Sequence, residues 1–392
     1  MRVVVNRLSA NGQRTGVGHH TAELLRCLHR QAAPDLIEEF PQPWMLRARA
    51  ALRRRPAGGP AVPSGAAGSG QTMSYRLRRG FRTLVEQYFR LLCVARRYDL
   101  YHEPNFLPLP CDRPTLVTLH DLSVLLHPEW HPADRVAEYE RTFPQTMRRA
   151  VHFLTVSEFV RQEVIRHLHV PPWQVTRVYN GVRAGLGPLS PDDVAATLAR
   201  LGLPPRYLLY LGTIEPRKNV LRLMQAYCAL PQSLRERWPL LLVGRWGWHT
   251  EAAAEFYETE GRHRGVRHVG YVADEHLGAI YNGARALVFP SFYEGFGLPP
   301  VEMLACGGAV LTSTAGALVE TVGSQAHLVE PEDTDGWRDG MARVLEDDDW
   351  WQLLRRGGVE AARPYSWERS AADTLRVYRA LTGGHGTRRA AA

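Results

Sequence analysis

The sequence predicts an α/β protein made of two doubly wound, Rossmann-like domains that face each other across a cleft. Three observations carry this reading. At 392 residues the chain exceeds the size at which one hydrophobic core usually keeps growing, so two domains of roughly 150–200 residues each are expected. Short β-rich runs alternate with helical patterns, which implies parallel strands joined by right-handed crossovers. The alternation starts again after about residue 183.

In the first half the strand candidates are "MRVVVN", "DLYHE", "PTLVTLH", "HFLTVS" and "TRVYN", each ending in turn or capping residues. Helical patterns such as "TAELLRCLHR" and "SEFVRQEVIRHL" separate them. In the second half "RYLLYLGT", "PLLLVG", "VRHVGYV", "RALVFPS" and "GAVLTST" repeat the pattern. The expected domains are therefore 1–183 and 206–365, joined by a linker over 184–205 near "GVRAGLGPLSP". Residues 366–392 are expected to form a C-terminal helix that packs back on the first domain, followed by a tail. Within the first domain 41–75 reads as a mobile loop, because "RRRPAGGPAVPSGAAGSGQ" cannot bury enough apolar surface to offset the entropy of ordering.

Composition narrows the function classes. With 45% hydrophobic and 22% charged residues the chain reads as soluble and globular. Its longest apolar runs fall far short of the ~20 residues of a membrane-spanning helix. The N-terminus lacks the apolar core of a secretory signal, so a cytoplasmic protein is expected. Five scattered cysteines without a C-x-x-C pair argue against a disulfide framework and a zinc site, and buried thiols are expected.

The charge is uneven. Residues 1–150 hold 22 Arg against 13 Asp plus Glu, while the whole chain carries +8, so the surplus lies in the first half. Between Arg47 and Arg97 twelve arginines face one acid, Glu86. Within this span Leu77, Phe81, Leu84, Val85, Tyr88, Leu91 and Leu92 recur at helical spacing with arginines such as Arg76, Arg78, Arg79 and Arg82 between them. Such a helix can bind an anionic membrane surface, at about 1 kcal/mol per basic residue near the lipid. The alternative is an ordinary core-facing helix with a solvated basic back.

The chemistry collects at strand ends, where open α/β sheets bind ligands. After the first strand, Gly16 and Gly18 open a helix expected near His20, a loop-to-helix turn that could accept a phosphate or be a turn only. The strand "TLVTLH" delivers His120 and Asp121, a hydrogen-bond donor or proton carrier with its carboxylate, or a helix cap. "YLGTIEPRKNV" places Arg217 and Lys218 at the expected start of a helix, where cations oppose the dipole unless an anion such as a phosphate arrives. Lys218 is the only lysine among 48 basic residues, which suggests a need for a compact point charge. Finally "YEGFGLPPVE" leaves Glu294 in a glycine-broken turn beside the N–H groups of Phe296, Gly297 and Leu298, and puts Glu302 about one turn into the next helix, where stabilising the helix dipole is the alternative role. Two acids near a basic phosphate site suit a ligand with hydroxyls at both ends of a diphosphate, a nucleotide sugar, with Glu294 toward the sugar and Glu302 toward the ribose.

At these residues the chain resembles retaining glycosyltransferases of family 4, which have the two-domain GT-B fold. The resemblance runs through the early glycine loop, "TLHD", "VSEFVRQEV", "VYNGV", "LGTIEPRKN", "LLVGRWGW", "VGYVADEHL", the E-x7-E from Glu294 to Glu302 and "YSWERSA". "YHEPNFLP" and "VTLHDLSVLLHPEWHP" look most like bacterial O-antigen and polysaccharide mannosyltransferases of the mannosyltransferase-B-like group. The resemblance implies that Arg217 and Lys218 bind the donor diphosphate, Glu294 the donor sugar and Glu302 the ribose. It sets Gly16 on the phosphate or acceptor side and His120 at the reacting sugar. One departure is Gly308 in "ACGGAV", where the family usually has proline, which loosens that turn.

The resemblance further implies a retaining, metal-independent hexosyltransferase. It would move mannose from GDP-mannose to a lipid-linked glycan acceptor in cell-surface polysaccharide, lipopolysaccharide or O-antigen synthesis, as a peripheral protein on the inner face of the cytoplasmic membrane. No cofactor beyond the nucleotide sugar and no nucleic-acid partner is expected. The alternatives are a transferase using rhamnose, fucose, glucose or N-acetylhexosamine, and a GT-B sugar-nucleotide epimerase. A basic nucleic-acid-binding protein would leave the two acids unexplained. The acidic run from Glu346 to Asp349 reads as a solvated or capping segment and not as a metal site.

Overall fold

Valine and leucine runs with no polar alternation form strands only where both faces are covered, and these do. The computed structural model describes residues 1–10, 16–42, 45 and 70–389, the side chains of 70–82 and 384–389 excepted. Strands β1 (Arg2–Asn6), β2 (Leu36–Phe40), β3 (Leu100–Glu103), β4 (Thr115–Leu119), β5 (Ala150–Thr155) and β6 (Val175–Arg177) form one sheet in the order β2-β1-β3-β4-β5-β6. Strands β7 (Leu208–Leu211), β8 (Leu240–Val243), β9 (Val266–Gly270), β10 (Ala286–Phe289), β11 (Ala309–Ser313) and β12 (His327–Val329) form a second, ordered β12-β11-β10-β7-β8-β9. Val3 to Val5, Leu208 to Tyr210, Leu240 to Leu242 and Leu287 to Phe289 are all fully buried. The strands with a described register pair in parallel.

Both sheets are doubly wound. In the second, β7 lies beside β10, with β8 and β9 on one side and β11 and β12 on the other, so the strand order reverses between β7 and β10. Open α/β sheets bind ligands at such a switch point, outside the carboxyl ends of the strands, and here those ends carry the Arg217 and Glu294 segments. Two strands escape the sequence reading. β2, "LIEEF", carries two glutamates, and β12 has three residues at a sheet edge.

By contacts the chain divides into one unit of Met1–Thr118, Gln145–Phe153 and Thr374–Ala392, and another of Leu119–Pro144 and Leu154–Asp373. In the first unit Val4, Phe40, Phe89, Leu92, Cys93, Tyr98 and Tyr101 form the core. The C-terminal helix Trp367–Arg389 contributes to this unit through Tyr378, whose hydroxyl lies 2.6 Å from Nδ1 of buried His102. The other ring nitrogen of His102 bonds Thr118 at 2.8 Å. In the second unit the backbone N–H of Val182 donates to Tyr365, and the ring and backbone of Trp367 fill the space a side chain at Gly181 would take. The "VYNGV" and "YSWERSA" stretches are thus packing partners. The room left at Gly308 is filled by the Met303 thioether.

The helix Gly70–Arg96 starts inside the stretch read as a mobile loop, most of which lies outside the described residues. Its apolar residues do not share one face. Phe89, Leu92 and Cys93 enter the core, whereas Leu84, Leu91 and Val94 are 65%, 69% and 60% exposed. Arg78, Arg79 and Arg82 have side chains outside the described residues. All five cysteines are free, and all but Cys111 are buried.

Tyr378→Phe removes the hydroxyl that lies 2.6 Å from Nδ1 of buried His102. It should cost about 1–3 kcal/mol in urea unfolding, with little change in m-value.

Candidate active site

β7 runs out through Gly212 to a single 3-10 turn, Pro216–Lys218, and only then does the helix Val220–Cys228 begin. Arg217 and Lys218 therefore precede the helix and are not in its first turn as the sequence suggested. The cause is Asn219, held in the left-handed region (φ 57°) because its side-chain amide donates to the carbonyls of Pro290 (3.1 Å) and Pro331 (2.8 Å). The backbone N–H of Phe292 donates to the Arg217 carbonyl at 2.7 Å, which joins this turn to the Glu294 segment.

The two cations do not wait for an anion. Lys218, buried, pairs with Oε1 of buried Glu294, and Ser291 donates to the same oxygen at 2.8 Å. Arg217 contacts Oε2 of Glu294 at 3.3 Å and the Tyr293 carbonyl at 3.2 Å through Nη1, while its Nε meets Glu215 at 2.7 Å. Burial opposes charge throughout. For Glu294 the charges of Lys218 and Arg217 outweigh burial and hold its carboxyl below the ordinary 4.5. For Arg217 the charges of Glu294 and Glu215 outweigh burial and raise its pKa. For Lys218 burial, reinforced by the Arg217 charge, wins and lowers its pKa.

The turn that holds Glu294 is shaped by backbone crowding. A Cβ on Gly295 would stand 1.9 Å from the His120 carbonyl oxygen, and one on Gly316 (φ +61°) 2.5 Å from the carbonyl oxygen of Glu294. Ser157 donates to the Gly295 carbonyl at 2.7 Å, and Ala317 N–H to that of Glu294 at 2.9 Å. Phe296 is buried, Gly297 (φ 85°) precedes the helix, and Leu298 begins the helix Leu298–Ala305.

Glu302 is in that helix but belongs to a separate cluster. It is fully buried, and its Oε2 accepts from Arg183 (2.8 Å) and from the Tyr281 hydroxyl (2.7 Å). Burial raises its pKa, the Arg183 charge offsetting only part. Its Oε1 is buried with no hydrogen-bond partner among the described residues. The two acids that looked alike in sequence thus differ: one is paired with two cations and titrates low, the other titrates high and keeps one acceptor oxygen unused.

His120 is half-buried at the end of β4, and the Asp121 carboxylate accepts from Ser123 through N–H (2.9 Å) and hydroxyl (2.7 Å). Burial opposes the Asp121 charge, but Arg217 and the Ser123 donors keep its pKa low. Gly16 and Gly18 lie in the first turn of the helix Gly16–Gln31, which begins four residues before the expected His20. The acidic run caps a helix: Asp347 accepts from Trp350 N–H at 2.8 Å, and Asp348 pairs with Arg285.

A family model described as Glycosyltransferase Family 4 matches residues 14–185, and one described as Glycosyl transferases group 1 matches 199–363. The O-antigen chain mannosyltransferase B of Escherichia coli is 34% identical over 377 residues, covering 94% of this chain and 96% of that one. The chain belongs to glycosyltransferase family 4. Sucrose-phosphate synthase from Thermosynechococcus elongatus has a similar structure, with a TM-score of 0.70 at 21% identity over 98% of this chain and 100% of that one. Anabaena Alr3699/HepE in complex with UDP-glucose gives a TM-score of 0.69 at 17% identity over 96% and 100%. These likenesses establish the fold, GT-B.

Within this family 4 glycosyltransferase several site residues lay outside the sequence reading. Glu215 stands one proline before Arg217 and was legible only as a neighbour. Arg183 directly follows the quoted "VYNGV", and Tyr281 lies in the helix Asp274–Gly283, so neither carries a local signal for contact with Glu302.

Glu294 titrates below 4.5 in the fold, so the stability it contributes is present above that pH and is lost in acid as the pH falls through the folded value. Lys218→Met removes the first of the two charges that lower it. In urea unfolding between pH 3 and 8 the loss should begin at higher pH, and at neutral pH the variant should be less stable by about 3–5 kcal/mol, the scale for breaking a buried ion pair.

Proposed function

We propose that this glycosyltransferase is a retaining, metal-independent hexosyltransferase that moves mannose from GDP-mannose to a lipid-linked glycan acceptor in cell-surface polysaccharide or O-antigen synthesis. The observation that carries the reading is the cluster of half-buried Arg217 with buried Lys218 and Glu294 at the switch point of the second sheet. The near full-length likeness to a protein named O-antigen chain mannosyltransferase B supports the choice of sugar.

The roles follow from the chemistry of each group. Arg217 and Lys218 take the donor diphosphate and stabilise the charge that grows on it as the glycosidic bond breaks. Glu294 orients the donor sugar through its hydroxyls, with Phe296, Gly297 and Leu298 beside it, and Glu302 offers its unused Oε1 to the ribose. His120 lies at the reacting sugar, and Gly16 and Gly18 on the phosphate or acceptor side. In a front-face substitution the acceptor hydroxyl attacks the anomeric carbon on the side the diphosphate leaves. Attack and departure on the same face keep the configuration, and the hydroxyl proton passes to a leaving phosphate oxygen.

Turnover of GDP-mannose, GDP-fucose, dTDP-rhamnose, UDP-glucose and UDP-N-acetylglucosamine, with and without glycan acceptor, tests the reading. Acceptor-dependent turnover of GDP-mannose is expected, and acceptor-independent turnover would make the protein an epimerase. A donor at 100 times its dissociation constant should add roughly 2.7 kcal/mol of stability. Glu294→Gln should abolish most transfer yet leave affinity for the bare nucleoside diphosphate unchanged or tighter, since that ligand has no sugar and the cations are freed. Glu302→Gln should weaken diphosphate and sugar nucleotide alike, by about 10- to 150-fold in calorimetry for a charge-assisted bond of 1.5–3 kcal/mol.

A peripheral position on the inner face of the membrane is part of the proposal. No described helix is long and apolar enough to cross a membrane. The exposed Leu84, Leu91 and Val94, spaced by seven and three along one helix, form a stripe that can enter lipid, with exposed Arg90 and Arg96 nearby. Replacing the three by Ser should weaken binding to phosphatidylglycerol-containing vesicles at least about tenfold, given roughly 1.5–3 kcal/mol per buried apolar side chain. Donor affinity should not move, and equal vesicle binding by both proteins would remove this helix from the membrane.

A further inference from the structure

Tyr293, the residue before Glu294, is buried and meets three separate segments. Its carbonyl accepts from Arg217 at 3.2 Å, its hydroxyl accepts the Leu122 N–H at 3.1 Å, and the same hydroxyl donates to the carboxylate of Glu163. Glu163 lies on the helix Glu158–Leu168, whose first turn is fixed twice over. Ser157 accepts from Val160 N–H at 3.1 Å, and Glu320 accepts the N–H groups of Glu158 (2.7 Å) and Phe159 (2.9 Å). The Tyr293 ring is wedged between Phe159, edge-on at 5.8 Å, and His127 at 5.7 Å. Through Leu122 the hydroxyl holds the turn that carries His120 and Asp121, the same turn whose backbone presses on Gly295. A phenol between a fixed carboxylate and a backbone N–H has no freedom to turn away from either.

We propose that Tyr293, anchored by Glu163, is a positioning residue that holds the His120–Leu122 turn in register with Glu294 during sugar transfer. The proposal rests on the transferase reading above, and neither residue need touch the substrate. Burial, with the Asp121 charge adding to it and the Tyr293 hydroxyl and Arg166 opposing, pushes the Glu163 carboxyl up to about 7. The ionised form is the better acceptor for the phenol, so the anchor strengthens as pH rises through that value. His127, Trp130 and Arg217 also border Tyr293.

Tyr293→Phe keeps the ring and removes both hydroxyl bonds. Amide hydrogen exchange over residues 119–126 should speed up at least about tenfold, the scale of one lost bond of about 1.4 kcal/mol. With GDP-mannose as donor, kcat should fall about 10- to 100-fold, while donor KM and affinity for GDP stay within about threefold, since misplacement by an ångström costs rate and not binding. Glu163→Ala should behave like Tyr293→Phe. Glu163→Gln, whose amide oxygen can still accept from the phenol, should recover most of the neutral-pH rate but lose the wild-type decline in kcat below pH about 7. Unchanged exchange in Tyr293→Phe would overturn the proposal even if the wild-type enzyme turns over none of the donors, an outcome that sinks only the transferase reading. Faster exchange with unchanged kcat, or kcat and GDP affinity falling together, would reduce Tyr293 to a packing residue. Should Tyr293→Phe not fold, Glu163→Gln decides the matter: a pH profile superimposable on wild type removes Glu163 and its phenol from the mechanism.

Discussion

Everything around the candidate site is arranged about one buried carboxylate, that of Glu294, held between an ammonium and a guanidinium. A carboxylate taken out of water is stable only if its charge is met on both oxygens, and here Lys218 and Ser291 meet one while Arg217 meets the other. That requirement fixes the positions of two loops. The Pro216–Lys218 turn must come within reach of the Ser291–Glu294 turn, and the Phe292 N–H to Arg217 carbonyl bond and the Asn219 amide hold it there. The parallel pairing of β7 with β10 makes this possible, because only strands that end side by side deliver both loops to one place.

The backbone pays for the arrangement with glycine. At Gly295 the polypeptide passes so close to the His120 carbonyl that no side chain fits, and at Gly316 it crosses the Glu294 backbone with positive φ. The phrase "YEGFG" is therefore as much a packing code as a chemical one. Gly295 lets the His120 turn approach, and Tyr293 then ties that turn down through Leu122.

Much of this was legible in the sequence, and the limits have physical causes. Ten strands were legible, most of them as apolar runs because parallel strands are buried on both faces, and β6 only through the overlapping "TRVYN". β2 does not show, because two glutamates interrupt its apolar residues, and β12, like β6, has only three residues. The cations and the two acids were legible because each follows a strand end. What each binds was not, because an ion pair between residues 76 positions apart leaves no local trace. The cations therefore looked uncompensated when Glu294 and Glu215 already hold them, and Glu302 looked like a twin of Glu294 when Arg183 and Tyr281 claim it instead. The basic helix was legible as a helix, but not which of its apolar residues the core covers. Periodicity says which residues recur at helical spacing but not which of two apolar stripes the core covers, and the core takes Phe89 and Leu92, leaving Leu84 and Leu91 outside.

The single lysine fits the same electrostatics. A guanidinium at 218 would bring five donors into a buried space where Oε1 of Glu294 and the Phe289 ring, 5.3 Å from the ammonium, leave room for a point charge. Of the two cations Arg217 keeps its charge under all conditions, whereas burial and the neighbouring guanidinium make Lys218 the easier to discharge. On the proposed reading, a donor diphosphate entering this site does not fill an empty cation hole. It competes with Glu294 and Glu215 for donors they already hold, so its net gain is the difference between two ion-paired states and not the full attraction of two free cations. If these cations hold the donor diphosphate as proposed, weak ground-state attraction with strong donors in place suits catalysis better than tight binding, because charge on a departing diphosphate grows along the reaction and the donors then strengthen their hold when it matters for rate.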